Sequence, residues 1–175
     1  MLNLPQAINN KTQVVGASDL SGDTINHAFL WEKGVMTDLG TLPGYPHSIA
    51  EGINDEGQVV GGASEQPFLG GNCTAFLWQD GVMTDLNTLI PPGSPLYLCF
   101  ASGINSRGQI AGTAVNSSGE ARAFLATPSK CEGDCESAAT AATQRPNITL
   151  PENVRKLLQR RARFGGLKGG PVTPQ

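Results

Sequence analysis

One phrase recurs three times along this chain, and it constrains the fold more than any other feature. Ala7-Ile8-Asn9-Asn10-Lys11-Thr12-Gln13-Val14-Val15-Gly16 returns as Gly52-Ile53-Asn54-Asp55-Glu56-Gly57-Gln58-Val59-Val60-Gly61. It returns again as Gly103-Ile104-Asn105-Ser106-Arg107-Gly108-Gln109-Ile110-Ala111-Gly112. A second phrase alternates with it: His27-Ala28-Phe29-Leu30-Trp31 through Thr41-Leu42, then Thr74-Ala75-Phe76-Leu77-Trp78 through Thr88-Leu89. A shortened Arg122-Ala123-Phe124-Leu125-Ala126 closes the series. Self-similarity at a spacing of 45 to 51 residues means stacked supersecondary units rather than one irregular domain.

Each unit reads as two β-hairpins. In the first, an Asn opens the turn and a Gly stands at its fourth position, as in Asn54-Asp55-Glu56-Gly57 and Asn105-Ser106-Arg107-Gly108; this suits a type I turn followed by a left-handed Gly. Asn9-Asn10-Lys11-Thr12 breaks the pattern. A left-handed Thr12 costs about 1–2 kcal/mol, so the first turn is expected to be altered. The second hairpin turns at Glu32-Lys33-Gly34 and at Gln79-Asp80-Gly81. On such a strand Phe76 and Trp78 point one way while Ala75 and Leu77 point the other. Both faces are apolar, so the sheet is expected to lie between other sheets. Four strands per unit, buried on both faces, describe a β-propeller blade. The expected fold is all-β: stacked four-stranded antiparallel blades in a partial or open propeller-like array of about two and a half repeats over residues 1–128.

Composition agrees with a turn-rich β protein: 22 glycines, 12 prolines and 15% charged residues. The net charge of −3 is unevenly spread. Residues 1–150 carry −8 and residues 151–175 carry +5, an acidic body with a basic tail. After Pro128 the pattern changes. Residues 129–148 read as a small-residue linker containing a Cys131/Cys135 loop. Thr149-Leu150-Pro151-Glu152 is a capping box opening a basic amphipathic helix over 149–164. Residues 165–175 read as a disordered tail. Pro128 cannot donate to a strand ladder and looks like a stop to the array, whereas Met1 stands only a few residues before a repeat already under way.

The phrases Ile-Asn-Asp-Glu-Gly-Gln-Val-Val-Gly, (His/Thr)-Ala-Phe-Leu-Trp and Met-Thr-Asp-Leu resemble the HAF repeat, named for the triplet that stands here as His27-Ala28-Phe29. The likeness covers residues 6–128, with Thr74 and Arg122 in place of the histidine in later copies. It implies a bacterial, secreted or periplasmic extracellular repeat protein and supplies no active-site residues.

The four cysteines fall in two groups. Pairings Cys73–Cys99 and Cys131–Cys135 are expected, which imply an oxidising compartment; the alternatives are reduced thiols or, less favoured, zinc. Met1-Leu2-Asn3-Leu4-Pro5 lacks the basic start and apolar stretch of a signal peptide, and no apolar run is long enough to span a membrane.

No catalytic, cofactor-binding or metal residue is assigned. His27 is read as a hydrogen bond at a repeat end and His47 as part of an exposed loop. Asp19-Leu20-Ser21-Gly22-Asp23 has the alternating oxygens of a calcium loop but not its Gly or distal Glu, and reads as a plain connector. Asp38 and Asp85 recur at one repeat position, where an aspartate binds backbone amides. Asn10, Asn72, Asn116 and Asn147 head glycosylation-type triplets of little weight in a bacterial chain. No nucleotide, metalloprotease or nucleophile-elbow motif is present.

The expected role is a non-enzymatic interaction or structural module that binds a protein or glycan partner through loops at one end of the stack. Self-association through open sheet edges is a further expectation, and nucleic acid is not expected as a partner. The alternatives are a fragment of a secreted propeller enzyme acting on polysaccharide, or a surface protein held to a membrane by its basic tail.

Overall fold

The computed structural model describes residues 3–20, 24–67 and 70–128. The Cys131/Cys135 loop, the capping box, the basic helix and the tail lie outside them. Among the described residues, eleven strands form three sheets, each a simple antiparallel meander. The first sheet is β1 (Asn3–Ile8), β2 (Val14–Asp19), β3 (Asn26–Glu32) and β4 (Val35–Gly40). The second is β5 (His47–Ile53), β6 (Val59–Gln66), β7 (Gly70–Gln79) and β8 (Val82–Asp85), followed by a 3-10 turn at Leu86–Thr88. The third has three described strands: β9 (Leu96–Ile104), β10 (Ile110–Asn116) and β11 (Ala121–Ala126). All-β architecture with one sheet per repeat is thus as the sequence indicates.

The sheets pack face to face in chain order. The first strand of each later sheet forms the seam: β5 lies against β1, β2 and β3, and β9 lies against β5, β6 and β7. The outermost strands β4 and β8 make no comparable contact beyond their own sheets. Alternation along β7 divides the core as expected. Phe76 and Trp78 join Val15, Ala28 and Leu39 between the first and second sheets. Ala75 and Leu77 join Leu98, Ala101 and Ile110 between the second and third.

The repeated glycine ending the first phrase has a steric reason. In each sheet the first strand carries a bulge, with Gln6, Glu51 and Ser102 as the extra residue. The bulge tips a carbonyl over the neighbouring strand. A Cβ on Gly16, Gly61 or Gly112 would stand 1.9 to 2.0 Å from the carbonyl oxygen of Leu4, Ile49 or Phe100. Only glycine fits.

The turns repeat as faithfully, including the one that the sequence indicates should differ. In all three first hairpins the Asn amide donates to the Gln carbonyl, and the fourth residue's amide donates back to the Asn carbonyl. Gly57 and Gly108 have φ of 83° and 72°. Thr12 adopts φ of 63°, so the first turn is unaltered and Thr12 is held left-handed. A fourth such turn, Asn116 to Glu120, joins β10 to β11. The second hairpins turn through two residues, Lys33-Gly34 and Asp80-Gly81, all with positive φ, which is the twist-matched turn that antiparallel strands prefer.

Candidate functional site

The stack has two unlike ends. One carries the three repeated Asn turns and the two-residue turns, whereas the Asn116 turn lies at the other. At the first end the Asn side chains form a directional ladder: Asn9 Nδ2 donates to the Asn54 carbonyl (2.9 Å), and Asn54 Nδ2 donates to the Asn105 carbonyl (3.1 Å). Each Asn also reaches the Gln side chain of its own turn. The invariant Ile-Asn-x-x-x-Gln pattern is therefore spent on joining one sheet to the next.

The opposite end carries the long connectors, and its polar side chains vary from sheet to sheet. This is the candidate site. Asn26 and His27 open β3. Asn26 Nδ2 donates to Asp19 Oδ1, and the Asn26 amide donates to His47 Nδ1 at 3.2 Å. An accepting Nδ1 places the neutral ring's proton on Nε2. His47 is buried and opens β5, contrary to its reading as an exposed loop residue; the first sheet covers it. Burial, and secondarily the nearby His27, lower its pKa from the usual 6.5. Ser48 Oγ beside it accepts from the Ala28 amide (2.8 Å) and donates to the Gly40 carbonyl (2.6 Å).

His27 faces Asp38, with Nδ1 3.0 Å from both carboxylate oxygens. Asp38 also accepts from the Gly40 amide at 2.7 Å. Its repeat counterpart Asp85 accepts from the Asn87 amide at 2.8 Å and caps the 3-10 turn. The backbone-binding role of this repeated aspartate is as expected, and His27 does bond at a repeat end. The two aspartates do not share a partner: Asp38 meets an imidazole, Asp85 an asparagine.

Further along the same end, the chain's two tyrosines meet through Thr74. Tyr45 Oη lies 2.6 Å from Thr74 Oγ1, which lies 2.5 Å from Tyr97 Oη. Thr74 is wholly buried and occupies the repeat position of His27. Burial raises the pKa of Tyr97 far above the usual phenol range, with Tyr45 and Asp85 as lesser contributors. The sequence held one signal for this relay: Tyr45 stands in the Pro- and Gly-rich connector before β5, and Tyr97 follows the corresponding connector as the second residue of β9. Cys73 and Cys99 are joined in a disulfide between β7 and β9, the pairing expected from the sequence, which closes the second sheet onto the third.

Asp19, the described end of the calcium-like segment, is engaged by Asn26; residues 21–23 lie outside the described positions. Among the described residues no three His, Cys, Asp or Glu side chains gather in a way that could hold a metal ion, and no helix is long and apolar enough to cross a membrane. The chain matches no family model, no curated protein and no solved structure in comparisons with each.

Proposed function

We propose that this chain is a non-enzymatic interaction module of an exported bacterial protein, built from HAF-type repeats whose sheets serve as propeller-like blades. One observation carries the reading. Positions shared by all repeats go to stacking, whereas the connector end changes chemistry from sheet to sheet. His27 is followed by Thr74 and Arg122, and His47, paired with Ser64, by Tyr97, paired with the equivalent Val115. A constant frame with a variable rim is how repeat proteins present binding surfaces. The wedge-like contact of the sheets through their first strands supports the blade reading. The Cys73–Cys99 disulfide supports an oxidising compartment.

A hydrolytic alternative would draw on His27 and Asp38, the only imidazole–carboxylate pair among the described residues. The test is incubation of the full chain with a panel of polysaccharides and peptides. Binding without turnover is expected, and replacing the connectors 41–46 and 89–95 by Gly-Ser segments should abolish it. Turnover that disappears in His27→Ala would overturn the reading.

A further inference from the structure

We infer that two copies of this chain pair head to tail, the third sheet of each seating on the first sheet of the other. The inference rests on reading the sheets as blades, and its evidence is the junction that the chain already makes twice with itself.

Each internal junction has a front half and a back half, and repeat-equivalent residues fill them. On the front half, Ile53 is buried and Met83 packs against the core that the first and second sheets share. The equivalents at the start of the stack are Ile8, 64% exposed, and Met36, 45% exposed. On the back half, Val15 and Ala28, then Val60 and Ala75, are fully buried, with Leu30 and Leu77 packed beside them. Their equivalents in the third sheet are Ala111, Ala123 and Leu125, all exposed, Leu125 to 69%. The apolar surface left open at one end is therefore the mate of that left open at the other.

Two further details end in the same way. A Cβ on Gly52 would lie 2.9 Å from the backbone of Gly103 in the next sheet, whereas one on Gly103 would meet nothing within 4 Å. The asparagine ladder also stops: Asn105 Nδ2 reaches Gln109 in its own turn and no following carbonyl among the described residues. At the other end, the Asn9 carbonyl accepts from Thr12 and, among the described residues, from no preceding asparagine. The last donor and the first acceptor fit each other. A head-to-tail contact of this kind makes a ring if its rotation closes and a filament if not. Two copies supply six sheets, within the four to eight at which such rings close, so the two junctions cover every open face once.

Sedimentation of the full chain with two variants tests this. Wild type should show a limiting mass of two copies. Ile8→Asp and Leu125→Asp should each be monomeric with unchanged circular dichroism, because both side chains are exposed. Mixed in equal amounts, they should regain a two-copy species that dissociates more readily than wild type, since one intact junction remains. Val82→Asp is the control: Val82 is 62% exposed, as is its equivalent Val35 at 64%, so this position belongs to no junction and pairing should persist. A wild-type monomer, growth without a limiting mass, association of Ile8→Asp with itself, or loss of pairing in Val82→Asp would each overturn the inference. None of these results bears on catalysis, and turnover of a polysaccharide would leave the pairing test standing.

Discussion

At the scale of single residues, Thr12 and His47 show where neighbours outvote local preference. Thr12 occupies a backbone region that β-branched residues avoid, held there by turn hydrogen bonds and by the Asn9 ladder contact to the next sheet. Thr12→Gly should restore the pattern of the other two turns and raise stability by about 1 kcal/mol, the strain relieved less the added freedom of the unfolded chain. Denaturant unfolding would reveal it as a higher midpoint at unchanged slope. His47 titrates below its usual 6.5 because it is buried. The unfolded chain therefore binds the proton first, so its contribution is complete above pH 6.5 and is lost as pH falls from there through the folded value. His47→Leu should remove that acid-side loss. It should also cost about 1–3 kcal/mol at neutral pH by leaving the buried Asn26 amide without its acceptor. Stability measured from pH 5 to 8 in both proteins checks the two effects. Neither outcome was legible from the sequence, since local rules see the turn and the Pro46-His47 connector but not the neighbouring sheet that the Thr12 turn bonds to and that buries His47.

At the scale of elements, the sequence was far more informative. Strand count, hairpin pairing and the two-faced core of β7 all follow from alternation and turn chemistry in the repeats. The bulges were hidden, because nothing in Gln6, Glu51 or Ser102 marks an extra residue; the mark lies across the ladder, in Gly16, Gly61 and Gly112. Gly61→Ala should be costly, since its Cβ would stand 1.9 Å from a backbone oxygen and 2.9 Å from the Phe76 ring. We expect a loss of about 3 kcal/mol from overpacking. Gly57→Ala has open space around it and should lose only the 1–2 kcal/mol or so of a left-handed alanine. Equal losses in thermal or urea unfolding would show that the carbonyl over Gly61 yields easily.

At the scale of the molecule, the two junctions differ in one covalent respect. Cys73–Cys99 ties the second sheet to the third across a separation of 26 residues, while the first sheet is held to the second by packing, the asparagine ladder and the Asn10–Asp55 contact. Loop-closure entropy for such a span gives ~3–4 kcal/mol. Hydrogen exchange should therefore find the amides of β1 to β4 opening more readily than those of β7 and β9. Both cysteines are buried, so reductant should act only through opening of the junction. Cys73→Ser with Cys99→Ser should narrow the gap in protection between the two regions, and an unchanged gap would mean that packing alone sets the order. The candidate site was only partly legible at this scale. His27, Asp38 and Asp85 could be singled out from repeat positions, whereas the Tyr45–Thr74–Tyr97 relay spans separations that no local pattern encodes.

The asparagine ladder has a consequence for how such chains change length. Every unit carries one donor for its successor and one acceptor for its predecessor, so a unit duplicated whole finds both partners wherever it is inserted. A duplication ending partway through a unit would leave a donor aimed at nothing and a bulge without its glycine. Arrays of this kind can therefore grow or shrink in whole-unit steps while intermediate lengths are disfavoured.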